Sequence, residues 1–263
     1  VTLGIASILV HVLGPVMRGP SSSHTAGSYH IARLARDLLG EPVAEAELSF
    51  DPSGSYAPCY AVQGSDRAFA CGLLGWDLLD DRFFDVLELA PGEGARIGFR
   101  VEPLAGTDHP NDVEIRLTGA SGGGLSLRAR SVGGGAVEIL RLDGHSLRVT
   151  GETWEVLFGP EGEPAVGVGL AEAEGILAGA GPGVERIPAA PSSEGALPLL
   201  HARLPRFLSP GAEARLRELG RLRIARPLSY PLVGEAPFSS AEELIAFARE
   251  RGASLGEAAR LGE

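Results

Sequence analysis

The chain contains no lysine: all 23 of its basic residues are arginine. It therefore cannot hold pyridoxal phosphate as a lysine Schiff base, nor build a Walker-type phosphate loop around a lysine. Codon usage in a GC-rich genome accounts for the missing lysine, in keeping with the abundance of Ala, Gly, Leu, Arg and Glu. Cysteine is almost as scarce. Cys59 and Cys71 cannot make a disulfide framework, so an intracellular, cytoplasmic setting is the expectation. Two thiols are also too few to ligate an iron–sulfur cubane, which takes three or four, and both read as small buried residues. There is no His-x-x-x-His or Cys-x-x-Cys pair, so no metal site is expected in this chain. The formal charge of −11 argues against nucleic acid or an anionic membrane as partner. Val1 to Met17 is apolar but short, is interrupted by His11 and Pro15, and lacks a basic leader. It reads as a buried helix rather than a membrane span or signal. A chain starting at Val1 is expected to be a processed product, a GUG-initiated frame or an incomplete piece.

With 263 residues, 44% hydrophobic and 22% charged, the chain has the composition of a folded protein with one large or two modest domains. The run Gly19-Pro20-Ser21-Ser22-Ser23-His24-Thr25 precedes an amphipathic stretch, Ala26 to Leu39. There Ile31, Leu34, Ala35, Leu38 and Leu39 share one helical face. Ala44 to Phe50 alternates as a strand, with Ala44, Ala46, Leu48 and Phe50 on one side, and Tyr56 to Val62 predicts a second strand. Asp66 to Leu74 and Asp80 to Leu89 predict helices. Strands follow at Arg96 to Val101, Asp112 to Thr118, Leu125 to Ser131 and Ala136 to Leu142, with turns at Gly122–Gly124 and Gly133–Gly135. This is an α+β pattern with helices covering one face of a sheet. Beyond residue 150 the expected order is a strand at Thr153–Phe158, a helix at Gly167–Ala178 and strands at Val184–Pro188 and Ala196–Leu204. A helix at Gly211–Leu219 and a strand at Arg221–Ala225 complete a ferredoxin-like βαββαβ module. Pro231 to Pro237 reads as a linker, and Ser239 to Leu261 as a helix with an acidic first turn.

Three places can carry chemistry. The Ser21, Ser22, Ser23, His24 and Thr25 cluster sits at a helix start, where unpaired N–H groups and the helix dipole favour a small anion such as a carboxylate. One hydroxyl suffices for a cap, and this segment has four. The second place is His109-Pro110-Asn111-Asp112, where proline holds His109 extended ahead of a strand. It is either ordinary turn chemistry or an imidazole with an orienting amide. The third, Arg130-Ser131-Val132-Gly133-Gly134-Gly135, is either a hairpin or an anion-binding nest. Asp51-Pro52-Ser53-Gly54-Ser55-Tyr56 is a further turn, ligand-facing or plain, whereas His11, His30, His145 and His201 read as structural.

In order, five stretches resemble the β subunit or β domain of bacterial iron–sulfur L-serine dehydratases. They are Leu13 to Gly27 with its Gly-Pro-Ser-Ser-Ser-His-Thr core, Gly54-Ser55-Tyr56-Ala57, Gly72-Leu73-Leu74-Gly75, His109-Pro110-Asn111, and Ser131 to Gly135 with Glu138-Ile139. A related allosteric substrate-binding domain occurs in some phosphoglycerate dehydrogenases. The resemblance implies a β domain over residues 1–150, an ACT-like domain over 151–230, and over 231–263 a linker and a helix similar to the start of the α subunit. Implied, too, is conversion of L-serine to pyruvate and ammonia by a [4Fe–4S] cluster without pyridoxal phosphate. The cluster cysteines would belong to an α subunit or domain, and iron would act as Lewis acid on the serine. His24, His109 and Asn111 would be catalytic; Ser21, Ser22, Ser23, Thr25, Ser131, Gly133, Gly134 and Gly135 would bind substrate. The implied partners are the α subunit or domain and L-serine, in a homo-dimer or hetero-oligomer. The alternative is a non-catalytic regulatory module binding L-serine or another small carboxylate.

Overall fold

The stretch after Gly19-Pro20 folds as expected, with one refinement at its start. In a computed structural model that describes residues 17–160, 166–191, 198–228 and 241–261, Ser22–Ala26 forms a π-helical turn. It runs without a break into helix α1 (Gly27–Leu39). Ile31, Leu34, Ala35 and Leu38 are fully buried, and Leu39 nearly so, as their spacing requires. Gly40 ends the helix in the left-handed region at φ 80°, its N–H returning to the Arg36 carbonyl.

Helix α1 lies on a seven-stranded sheet. Its strands are β1 (Val43–Phe50), β2 (Arg96–Val101), β3 (Asp112–Gly119), β4 (Gly124–Gly133), β5 (Ala136–Leu142), β6 (His145–Val149) and β9 (Ala190–Pro191). Their order is β2-β1-β3-β4-β5-β6-β9, with β1 and β2 parallel and every other pair antiparallel. A parallel pair needs a long crossover. Here it contains α2 (Ser65–Leu74) and α3 (Val86–Leu89). Leu48, Phe50, Ile115 and Ile139 face the apolar side of α1 and form the main core.

Two expectations fail in the crossover. Tyr56 to Val62 is a coil of turns: the N–H groups of Cys59 and Tyr60 both reach the Tyr56 carbonyl, at 3.0 and 2.8 Å, and Gln63 reaches Cys59 at 2.8 Å. Pro58 lies inside this apolar run and cannot donate to a ladder. Asp80 to Leu89 is not one helix but a 3-10 turn, Asp81–Asp85, followed by the single turn of α3. Strand β6 was not expected. It is paired to β5 through Asp143-Gly144, whose φ values of 45° and 80° suit a two-residue hairpin.

The second sheet holds β7 (Trp154–Pro160), β8 (Glu185–Ile187), β10 (Leu200–Leu204) and β11 (Gly220–Ala225) in the order β11-β7-β10-β8, all antiparallel. Helices α4 (Val166–Ala178) and α5 (Pro210–Leu219) cross between its strands and close a smaller core with Val156, Phe158, Ala202 and Leu216. Between β8 and β10 the chain visits the first sheet as β9, pairing Pro191 with His145 and Ala190 with Ser146. The buried Arg223 of β11 ties the sheets together. Its guanidinium donates to the carbonyls of Leu38 and Gly124, both at 3.2 Å, and to Asp143 at 2.5 Å. Burial pulls its pKa down to about 10, and Asp143 opposes that shift.

The expected helix Ser239 to Leu261 is two helices, α6 (Ala241–Arg251) and α7 (Leu255–Leu261). Gly252 at φ 60° breaks it, and Ser254 and Glu257 restart it as a capping box. The expected N-terminal helix, apart from Met17, and the Pro231–Pro237 linker lie outside the described residues. Among the described residues no helix is long and apolar enough to cross a membrane.

Helices α1 and α2 touch where Gly72 lacks a side chain. A Cβ there would lie 2.6 Å from Ala32 Cβ and 2.7 Å from the Tyr29 carbonyl oxygen. Gly72→Ala is expected to destabilise by about 1–3 kcal/mol, read as a lower urea midpoint at unchanged m-value. Gly175→Ala on α4, where a Cβ meets nothing, is expected to leave the midpoint level or raise it.

Candidate active site

The hydroxyl cluster at the start of α1 is organised around His24. Ser21 is the N-cap: its Oγ accepts the His24 N–H at 3.1 Å. The His24 side chain folds back onto the same hydroxyls, with Nδ1 3.3 Å from Ser21 Oγ and 3.1 Å from Ser23 Oγ. Thr25, fully buried, donates to the Gln63 carbonyl at 3.0 Å and anchors the turn on the crossover. The Ser22 carbonyl accepts the Gly27 N–H, while its hydroxyl makes no hydrogen bond among the described residues.

The other face of His24 looks to a second segment. Nε2 lies 3.1 Å from Ser55 Oγ, and the ring packs edge-on against Tyr56 at 4.9 Å. The Tyr56 hydroxyl donates to the Ser23 carbonyl at 3.3 Å, and burial raises its pKa, so it stays protonated. Ser55 is fixed in turn by the third segment. Its N–H donates to the Pro110 carbonyl at 2.7 Å, and its hydroxyl contacts Asn111 Oδ1. The Asn111 amide then donates to the Ser131 carbonyl at 3.1 Å. The structure thus brings Ser21, Ser23, His24, Asn111 and Ser131 into one continuous polar cluster, with Ser55 at its centre. Ser131 adds a fully buried hydroxyl with no hydrogen-bond partner among the described residues. A Cβ at Gly27 would lie 2.6 Å from that oxygen, so only glycine lets the helix start sit so close to β4.

Two expected members stand apart. The His109 ring meets the cluster at the Asn111 main chain, not at its side chains: its Nδ1 accepts the Asn111 N–H at 3.1 Å and so shapes the loop that presents the amide. Gly133, Gly134 and Gly135 form the β4–β5 hairpin, at φ 96°, 62° and 82°. The hairpin docks on α1 through a hydrogen bond from His30 Nδ1 to the Gly135 carbonyl at 2.7 Å. Neither cysteine is placed to bind metal. The Cys59 thiol donates to the Ser55 carbonyl at 2.9 Å, while Cys71 is fully buried and its pKa is pushed up to about 12. Among the described residues no group of three or more His, Cys, Asp or Glu could hold a metal ion.

The arrangement is that of an α+β protein with a partly buried, uncharged hydroxyl–imidazole–amide cluster suited to gripping a small polar anion and moving a proton. Comparison with known proteins agrees with the sequence motifs. The chain is 42% identical over 140 residues, 53% of its length, to 62% of a Bacillus subtilis (strain 168) protein named "Probable L-serine dehydratase, beta chain". It is 36% identical over 147 residues, 56% of its length, to 65% of the "L-serine dehydratase, beta chain" of Peptoniphilus asaccharolyticus. The chain thus spans less than two thirds of each curated relative. No family model matches it.

His24 and His30 both have pKa values below the ordinary imidazole value, chiefly because burial disfavours the cation; hydrogen bonds to the Ser55 and Gly135 backbone partly offset this. The unfolded chain therefore binds more protons than the folded one once the pH falls below about 6.5. Stability is expected to be complete above that pH and to decline below it. The denaturation midpoint should be lower at pH 5.5 than at 7.5, and His30→Gln, which keeps a donor but does not titrate, should flatten the difference.

Proposed function

We propose that this chain is the β part of an iron–sulfur L-serine dehydratase and completes its active site with an α subunit or domain that bears a [4Fe–4S] cluster. The observation that carries the reading is the single polar cluster made by the Ser21–Thr25, Ser55 and Asn111–Ser131 segments, together with the similarity to two proteins named as serine dehydratase β chains. The thiols of this chain do not fit a cluster, being two in number and engaged or sealed in the core, so its ligands fall to the partner.

In this reading the Ser21, Ser22, Ser23 and Ser131 hydroxyls and the Gly133–Gly135 turn face the serine carboxylate, aided by the helix start, while Thr25, bonded to the Gln63 carbonyl, serves that wall by anchoring it. His24 and His109 handle protons, and Asn111 orients the substrate. Loss of the Cα proton and of the Cβ hydroxyl as water gives aminoacrylate, which tautomerises and hydrolyses to pyruvate and ammonia. Exposed Met17 and Val62, on the segments that carry Ser21 and the Gln63 carbonyl bonded to Thr25, would be covered by the α partner. Residues 1–150 would form the β domain, 151–230 an ACT-like ferredoxin fold, and 231–263 the approach to the α part. The βαββαβ order of the second sheet supports that division. The assembly would be cytoplasmic and oligomeric.

Anaerobic serine turnover with and without the α partner tests the proposal. The complex is expected to produce pyruvate and the chain alone none; His24→Ala or Asn111→Ala should cost about 10²-fold or more in kcat/KM. Pyruvate formation by the chain alone would overturn the shared site. Tight calorimetric binding of L-serine to the lone chain would make it a regulatory sensor instead.

A further inference from the structure

The hydrogen bonds around His24 allow only one distribution of protons. The Asn111 amide nitrogen donates to the Ser131 carbonyl at 3.1 Å, and a carbonyl can only accept. The amide is therefore fixed with Oδ1 toward Ser55. The Ser55 hydroxyl has three polar neighbours: Asn111 Oδ1, the Pro110 carbonyl at 3.2 Å, and His24 Nε2 at 3.1 Å. The first two are acceptors only, and a serine has one proton to give. That proton goes to Asn111 or Pro110, so Ser55 faces His24 with a lone pair and Nε2 must carry the hydrogen. Burial keeps the imidazole neutral, which leaves Nδ1 unprotonated. Nδ1 is the nitrogen that lies between the Ser21 and Ser23 hydroxyls.

We propose that Ser55 is a positioning residue: through Asn111 it fixes His24 as the Nε2–H tautomer and aims the basic Nδ1 lone pair at the Ser21–Ser23 hydroxyl pair. Ser21 Oγ already accepts the His24 main-chain N–H at 3.1 Å, and Ser23, the nearer hydroxyl, can donate into the single Nδ1 lone pair. A ligand group that displaces the Ser23 hydroxyl meets a proton acceptor already in place, with no tautomer change needed. The step transfers a proton from the bound ligand to Nδ1: the ligand's bond to that hydrogen breaks with its electron pair left on the ligand, the Nδ1 lone pair forms the new N–H bond, and Nε2–H stays bonded to Ser55, giving an imidazolium held on both sides by hydroxyl oxygens. The catalytic use of this lone pair rests on the dehydratase reading; the tautomer does not.

The test is long-range ¹H–¹⁵N NMR at pH 7.5 on the full chain labelled at histidine nitrogen, with His24→Gln identifying the signal. The expected wild-type spectrum has a pyrrole-like Nε2 and a pyridine-like Nδ1. Ser55→Ala should move both nitrogens toward averaged shifts, and Ser55→Thr, which keeps the hydroxyl, should restore them. A protonated Nδ1 in the wild type, which needs no variant to observe, would overturn the assignment, as would a Ser55→Ala spectrum unchanged at His24. In the reconstituted complex Ser55→Ala should lower kcat about tenfold with KM within about twofold, and Ser55→Thr should recover it. The spectrum needs neither partner nor substrate. Absence of turnover by the wild-type complex would therefore refute the dehydratase reading and leave the tautomer standing.

Discussion

A hydrogen-bonded line running from His24 through Ser55 and Asn111 to the Ser131 carbonyl holds together parts of the chain more than a hundred residues apart. It joins the first turn of a helix, a tight turn after β1 and the facing ends of β3 and β4. Two of the approaches that bring these segments together are ones a side chain would block. A Cβ on Gly27 would meet Ser131, and one on Gly54 would lie 2.9 Å from the Pro110 carbonyl oxygen. The glycines, rather than the polar residues alone, set how closely the three segments converge. The hydroxyls and the amide then have little freedom left, and such preorganisation is what a polar site needs to favour one arrangement of a bound anion.

The electrostatics of the cluster differ from those of the whole molecule. The chain carries a formal charge of −11, yet no carboxylate hydrogen-bonds to Ser21, Ser23, His24, Ser55 or Asn111 among the described residues. Acidic side chains nearby are occupied elsewhere. Asp51 caps its own turn through Ser53 and Leu104, and these bonds hold its carboxyl below the usual range. Asp112 accepts from Thr107 at 2.7 Å and pairs with Arg130 at 3.2 Å. A small anion entering the cluster thus meets donors and a neutral imidazole, while the acidic surface remains outside.

Much of this was legible in the sequence where periodicity and caps agree. The α1 face, the alternation of β1, β3, β4 and β5, and the glycine turns all follow from local pattern. The second strand–helix series was legible for the same reason. Tyr56 to Val62 misled because its apolar residues serve two masters: Tyr56 packs on Phe50 and Phe69 while the backbone coils, with Pro58 inside the run. Strand β6 was missed although Asp143-Gly144 is a strong hairpin signal. Ser55 was visible only as part of the Asp51–Tyr56 turn and of the Gly54-Ser55-Tyr56-Ala57 motif. Its centrality comes from contacts with His24 and Asn111, at separations of 31 and 56 residues, which no local pattern encodes. His109 illustrates the same point. Its place ahead of a strand was legible in sequence, whereas the hydrogen bond by which its Nδ1 shapes the Asn111 loop was not.

The short excursion of Ala190–Pro191 onto β6 has a bearing on how the polypeptide can be divided. Severed after residue 150, the larger sheet would lose that cover and leave β6 as a bare margin, while the Leu38 and Gly124 carbonyls and Asp143 would lose Arg223. Unsatisfied strand margins invite self-association. The excised piece would clump through this margin, two strands along the sheet from β4 and the His24 cluster, and its loss of solubility would say nothing about the cluster itself.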